Sequence, residues 1–211
     1  MSEDVRHPLF ARVYARLGRR LDQQGTGEHR ERLLAGLRGR VIEVGAGSGL
    51  NFGRYPDAVT DVLAVEPEPY LRRLAEVEAR SARASIRVVA GRAERLPAAD
   101  GSHDAAVLSL VLCSVGDQRR ALAEVVRVLR PGGEVRLYEH VVSGSRGVTL
   151  VQRLLDLTVW PALVGGCHLA RDTRRAVEES GLTVDRWEPV AMPGGSPGGL
   201  VPHVLGAAHR L

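Results

Sequence analysis

The chain contains no lysine: all 29 of its basic residues are arginine. Cysteine is nearly as scarce, with two residues, Cys113 and Cys167, far apart and without metal-knuckle spacing. That excludes a disulfide scaffold and a zinc ribbon. No cluster of ligand types is legible at ligand spacing either, so no metal is expected. No stretch approaches the ~20 apolar residues needed to span a bilayer. The longest apolar run, Ala105 to Val115, is broken by serines and reads as a strand. The start, Met1-Ser2-Glu3-Asp4, is acidic with no apolar core behind it. Neither a signal peptide nor a membrane anchor is expected there, and a cytoplasmic location is. Aromatic residues make up 4% of the chain, too few for a base-stacking nucleic-acid surface. Large one-signed charge is also missing. Arginines alternate with acids, as in Glu28-His29-Arg30-Glu31-Arg32, which reads as a solvated helix face. The balance of 29 Lys+Arg against 25 Asp+Glu gives a formal charge of +4. The pI near 9.7 therefore reflects arginine's high pKa rather than a basic patch, and no nucleic-acid partner is expected.

What is present is an ordinary globular composition, 44% hydrophobic and 26% charged over 211 residues, suited to a single domain. A chain of this length buries roughly 70% of its unfolded surface and needs no staples. Residues 8 to 24 read as a helix, with Leu9, Phe10, Val13, Tyr14, Leu17 and Leu21 spaced by threes and fours. Gly25-Thr26-Gly27 breaks it, and Arg30 to Leu37 reads as a second, short helix. Strands follow at Arg40–Val44, Asp61–Glu66, Ile86–Ala90, Asp104–Leu110 and Glu134–Glu139. Helices alternate with them at Pro69–Ser81 and Gln118–Leu129, the latter stopped by Arg130-Pro131-Gly132-Gly133. Residues 146 to 180 are mainly helical, and Val184–Pro189 and Val201–His209 are two last strands. The alternation predicts an α/β fold. Specifically, it predicts one doubly wound, mostly parallel seven-stranded sheet over residues 1–211. A helical cap (1–38) precedes a ligand-binding core (40–140), and a helical insertion (146–180) follows the fifth strand.

In such sheets ligands bind where strand C-termini open at the switch point. The turn after the first strand there is Gly45-Ala46-Gly47-Ser48-Gly49-Leu50. A dinucleotide fingerprint requires glycine where Leu50 stands, which argues against a nicotinamide-dependent oxidoreductase. Twenty-one positions after Gly45, Glu66 ends the second strand, where a carboxylate can accept two hydrogen bonds from a ribose diol. Alternatively, the glycines make a tight turn and Glu66 caps the next helix.

These stretches form a series: Glu43 to Gly49, Glu66, Gly91-Arg92-Ala93-Glu94-Arg95-Leu96-Pro97, Asp100-Gly101-Ser102-His103-Asp104 and Val128 to Gly133. From about Val41 to His140 the chain resembles the class I S-adenosylmethionine (SAM)-dependent methyltransferases (methyltransferase type 11), with a Rossmann-like fold. The resemblance implies that Gly45, Gly47 and Gly49 line the methionine part of SAM, Glu66 its ribose, and Ala93-Glu94 its adenine. Glu43, Ala46, Asn51, Pro67 and Leu110 complete the cofactor-binding set it implies. Arg92 stands where many relatives carry aspartate. A narrower resemblance rests on Leu110 to Val115, Tyr138-Glu139-His140-Val141, Gly166-Cys167-His168-Leu169 with Arg171 and Thr173, and Pro202 to Gly206. Those stretches are similar to methyltransferase-like proteins that methylate alkyl thiols. Bacterial quinone-pathway methyltransferases match less well over this half. The animal thiol enzymes carry a hydrophobic N-terminal anchor; no such anchor is legible here, so a membrane-borne acceptor does not carry over from the resemblance.

The expected activity is methyl transfer from SAM to a small nucleophile: a thiol first, otherwise a phenol, quinol or amine. A non-catalytic SAM sensor or scaffold is the alternative, and the protein is expected to be a monomer or homodimer. Arginine, alanine and glycine usage fits a GC-rich bacterial genome. His140, ending the fifth strand with an ordinary pKa near 6.5, is the candidate base; alternatively it orients a loop. Glu139 points to the other side of that strand. Tyr14, Cys113 and His168 are candidates for the acceptor pocket, each with a plain packing role as its alternative. Trp160 and Trp187 are candidates to shape that pocket or simply to fill core.

Overall fold

The computed structural model describes residues 8–192 and 199–211. The acidic start, the first seven residues of the expected cap and the side chain of Leu9 lie outside the described set. Helix α1 (Pro8–Leu21) runs into a wide turn at Asp22–Thr26, where Gly25 takes φ 128°. Helix α2 (Gly27–Leu34) resumes at once. The second helix is therefore three residues earlier than expected, because Gly25 alone makes the bend and Ala35 already leaves helical backbone. The face containing Glu28 to Arg32 also corrects the sequence reading: Arg30 is buried, while Glu28, Glu31 and Arg32 are exposed.

The strands are β1 (Gly39–Val44), β2 (Val59–Val65), β3 (Ser85–Val89), β4 (His103–Ser109), β5 (Leu129–His140), β6 (Leu182–Val190) and β7 (His203–Arg210). The described residues form one seven-stranded sheet in the order β3-β2-β1-β4-β5-β7-β6. The first five strands pair in parallel; β7 lies antiparallel to both β5 and β6. Strand β5 starts before the proline-glycine turn rather than after it. Leu129 pairs with His103 and Glu134 with Ala105, so residues 130–133 bulge out of the ladder.

The inner strands are mostly apolar because both faces are covered. On one face, Ile42, Val44, Ala106, Leu108, Val135 and Leu137 pack against Leu122, Val125 and Val128 of α4 (Gln118–Val128). On the other, Val41, Val62, Ala105 and Val107 meet Leu33 and Leu34 of α2 and Ala75 of α3 (Pro69–Ala79). Trp187 packs on the first of these layers, over Gly206. The insertion contains α5 (Arg146–Asp156) and α6 (Trp160–Leu163); α7 (Thr173–Glu179) then leads into β6. No helix among the described residues is long and apolar enough to cross a membrane. Strand order reverses between β1 and β4, so their C-terminal ends frame the crevice where the sheet can take a ligand.

Candidate active site

Three glycines of the loop after β1 adopt left-handed backbone, with φ 67° at Gly45, 58° at Gly47 and 84° at Gly49. They do so for different reasons. A Cβ at Gly45 would lie 2.7 Å from Val111, and one at Gly49 would lie 2.9 Å from the Phe52 ring. At Gly47 it would meet only the Tyr14 ring, at 3.7 Å, across a cavity. Gly45 and Gly49 are small because protein packs on them; Gly47 faces open space.

Glu66, just beyond β2, is tied to this loop. Its Oε2 accepts from the Gly47 amide at 2.7 Å, and its Oε1 accepts from the Glu68 amide at 2.9 Å. Burial pushes its pKa up to about 7, against the pull of those two donors. Glu66 does not cap the next helix. That role belongs to Glu68, whose Oε2 accepts from Leu71 N at 2.8 Å. Glu43 and Asn51 sit behind the loop rather than in the crevice. Glu43 accepts from Asn51 Nδ2 at 2.8 Å and from the Tyr55 hydroxyl at 2.6 Å, and burial pushes it up to about 7. Arg30 closes this network, donating to Asn51 Oδ1 and Ser109 Oγ at 3.0 Å each and pairing with Asp22 at 3.3 Å.

The opposite wall follows β4. Leu110 takes φ 60°, rare for a residue with a Cβ, and its amide donates to Tyr138 O at 2.7 Å. Glu139 Oε1 accepts from the amides of Val111 at 2.8 Å and Leu112 at 3.0 Å. Arg171 donates to Leu112 O at 2.7 Å. Burial pushes Glu139 up to about 7, with these amides opposing. Removing the carboxylate strands two buried amides at ~1–3 kcal/mol each. Glu139→Ala is therefore expected to cost about 3 kcal/mol and lower Tm by roughly 6–12 °C. A shift below about 2 °C in a calorimetric scan would show that the loop keeps its shape unaided.

Between these walls lies a cavity of about 360 Å³. Gly45, Gly47, Glu66 and Pro67 line one side, Ala93 and Glu94 the end, and Leu110, Val111 and Ser114 the other side. Phe10 and Tyr14, with ring centroids 5.4 Å apart, cover it together with Gly165 and Gly166. Burial pushes the Tyr14 phenol up to about 12, so it stays neutral. Glu94 accepts from Gly116 N at 2.9 Å and lies 3.6 Å from Arg92. Eight of the sequence-derived residues thus meet at one cavity: Tyr14, Gly45, Gly47, Glu66, Pro67, Ala93, Glu94 and Leu110. Glu43, Ala46, Gly49, Asn51, Cys113, His140, His168, Trp160 and Trp187 do not line it. Sequence reasoning missed Phe10, Ser114 and Gly165 as lining. Phe10 had been visible on the same helical stripe as Tyr14, whereas nothing marked Gly165.

His140 faces away from this cavity, its Nε2 lying 2.9 Å from Cys167 Sγ. Burial first, then the neighbouring His203, pushes it down to about 4. The sulfurs of Cys113 and Cys167 are neighbours, and their interaction pushes the Cys113 thiol up and the Cys167 thiol down. The expectation that no ligand cluster exists is thereby corrected. Cys113, His140 and Cys167 bring one ligand atom each to within 4.8 Å of one another. His168 donates its backbone N–H to Cys113 O at 2.9 Å, and its ring Nδ1 bonds Gly166 O at 2.8 Å, so it holds the insertion against the loop.

Comparison with known proteins places this geometry in context. Residues 42–137 match a family model described as a methyltransferase domain. A thiol S-methyltransferase of Rattus norvegicus is 35% identical over 178 residues, covering 80% of this chain and 69% of the relative. A demethylmenaquinone methyltransferase of Renibacterium salmoninarum is 39% identical over 100 residues, 47% of this chain and 40% of the relative. Among solved structures, geranyl diphosphate C-methyltransferase from Streptomyces coelicolor superposes with TM-score 0.66 at 17% identity, over 88% of this chain and 77% of that one.

Proposed function

This chain belongs to the S-adenosylmethionine-dependent methyltransferases, and we propose that its methyl acceptor is a small thiol. The cavity suits the cofactor in size and chemistry. Its volume of about 360 Å³ lies in the range of small-molecule sites, with the buried Glu66 carboxylate on one side and, beside it, a glycine without obstructing Cβ contacts. In this assignment Glu66 accepts the two ribose hydroxyls and the Gly45–Gly49 loop lets the methionine part approach the backbone. Ala93 and Glu94 flank the adenine, while Phe10 and Tyr14 exclude water. When bound, SAM supplies a methyl group on a positively charged sulfur, activated toward in-line displacement.

The protein's work is then to hold the acceptor in line and dry, which can supply up to ~7–11 kcal/mol of the barrier. One observation favours a thiol. Among the described residues, the cavity lining contains no histidine, and His140 lies outside it, pushed down to about 4. Phenols and amines lean on a base; a thiol of ordinary pKa near 8.5 is already a few per cent thiolate at neutral pH. The thiol proton leaves to solvent before transfer, and the thiolate sulfur bonds the methyl carbon as the sulfonium–methyl bond breaks, with S-adenosylhomocysteine as the leaving group. The kinship to thiol S-methyltransferases over most of the chain points the same way.

The test is the pH dependence of kcat/KM for a series of thiols of differing acidity. Each profile is expected to rise with unit slope and level at the pKa of that thiol. In chelator-treated protein, His140→Ala is expected to keep kcat within ~tenfold of the parent, below the ~10²-fold loss typical of a lost general base. One inflection common to every thiol, abolished by His140→Ala, would instead assign the proton transfer to that histidine.

A further inference from the structure

Behind the wall formed by Val111, Ser114 and Gly166, three side chains from separate parts of the fold converge. Cys113 follows β4, His140 ends β5, and Cys167 follows α6. All three are buried, and their ligand atoms lie within 4.8 Å of one another. A tetrahedral zinc site, with Zn–S about 2.3 Å and Zn–N about 2.0–2.1 Å, sets its donors roughly 3.5–3.8 Å apart. The trio therefore closes on an ion with movements of about 1 Å or less.

Backbone contacts hold the segments around the two cysteines. Glu139 and Arg171 fix the loop before Cys113, and His168 N bonds Cys113 O. Asp156 accepts from Leu169 N at 2.6 Å and Ala170 N at 2.9 Å, anchoring the segment after Cys167. As a hydrogen-bonding group the trio is poorly served. Among the described residues His140 Nδ1 has no partner, and Nε2 has only a sulfur. The ring nitrogen that meets the Cys167 sulfur is itself a zinc-ligand type, and an ion there gives it a stronger partner than a thiol. Two thiolates and one imidazole form a soft donor set that selects zinc-class ions over magnesium or calcium.

We propose that Cys113, His140 and Cys167 form a binding site for one thiophilic divalent ion of the zinc class, with the fourth position left to a small exogenous donor. Coordination replaces two S–H bonds with two sulfur–metal bonds and releases those protons to solvent. The ion clasps the loop after β4, the end of β5 and the insertion, and so fixes the wall of the cavity at Ser114 and Gly166. This assignment is independent of which acceptor receives the methyl group.

The test is anaerobic titration of the reduced, chelator-stripped full chain with cobalt(II), then zinc(II). A thiolate-to-cobalt charge-transfer band is expected, saturating at one equivalent and displaced by zinc. Because the chain has only two cysteines, such a band can arise only from Cys113 and Cys167. Zinc is expected to raise Tm by about 5 °C or more. Cys113→Ser and Cys167→Ser should each lose at least half the band, and His140→Gln should weaken zinc binding at least tenfold. Absence of the band in the wild-type chain overturns the site even if the variants fail to fold. So does equal zinc affinity in the double variant Cys113→Ser/Cys167→Ser.

Discussion

Gly47→Val is expected to lower the affinity for S-adenosylhomocysteine by at least ~100-fold, about 2.7 kcal/mol. Two effects combine. The residue adopts φ 58°, which a β-branched side chain rarely tolerates. Its Cβ also projects into the cavity, with Tyr14 at 3.7 Å as its nearest neighbour, so the added methyl groups occupy ligand space. Packing against protein is not the cause, which separates this position from Gly45 and Gly49. Gly36 provides the control. It is also left-handed, at φ 78°, with nothing within 4 Å of its Cβ position. Gly36→Val should lower stability and leave the affinity unchanged. Calorimetric titration of both variants checks the pair; unaltered affinity in Gly47→Val would remove the glycine loop from the cofactor site.

The second large effect concerns Glu66. Burial holds its carboxyl at about 7 in the free protein, whereas accepting two ribose hydroxyls favours the ionised form. The free protein thus binds more protons than the complex, so affinity rises with pH and levels above about pH 7. One unit below that value the affinity should be about tenfold weaker. Glu66→Ala loses two hydrogen bonds to a charged group, at ~1.5–3 kcal/mol each, so a loss of about 10²–10³-fold is expected. Glu66→Gln should bind with intermediate affinity and a flat pH profile. Dissociation constants for S-adenosylhomocysteine from pH 5.5 to 8.5 decide the point. A pH dependence that persists in Glu66→Gln would assign the proton to another group.

The sheet was legible because its central strands are buried on both faces, so β1, β2 and β4 stand out as short, mainly apolar runs. Boundaries shifted where backbone conformation outweighed pattern: Gly25 bends the chain and lets α2 start early, and the bulge at 130–133 lets β5 begin at Leu129. The glycine-loop side of the cavity was legible for the same reason as the sheet. Gly45, Gly47 and Glu66 follow consecutive strands, and parallel strands deliver their C-terminal turns to one edge. Arg30 was not legible, because an arginine flanked by acids on a helix looks solvated until Asn51, Ser109 and Asp22 close around it. The Cys113–His140–Cys167 group was invisible for a deeper reason. Its members share no local spacing and meet only once the insertion packs on the loop after β4, with a Cβ at Gly166 lying just 2.9 Å from Ser114 O.

Competition between acceptors tests methyl transfer to a thiol without an enzymic base. The protein is incubated with deuteromethyl-labelled SAM and an equimolar mixture of an alkyl thiol, a phenol and an amine of matched size, and the products are identified by mass. Labelled methyl thioether is expected in at least tenfold excess over either other product, formed one-to-one with S-adenosylhomocysteine. Labelled ether or methylamine as the main product would contradict it.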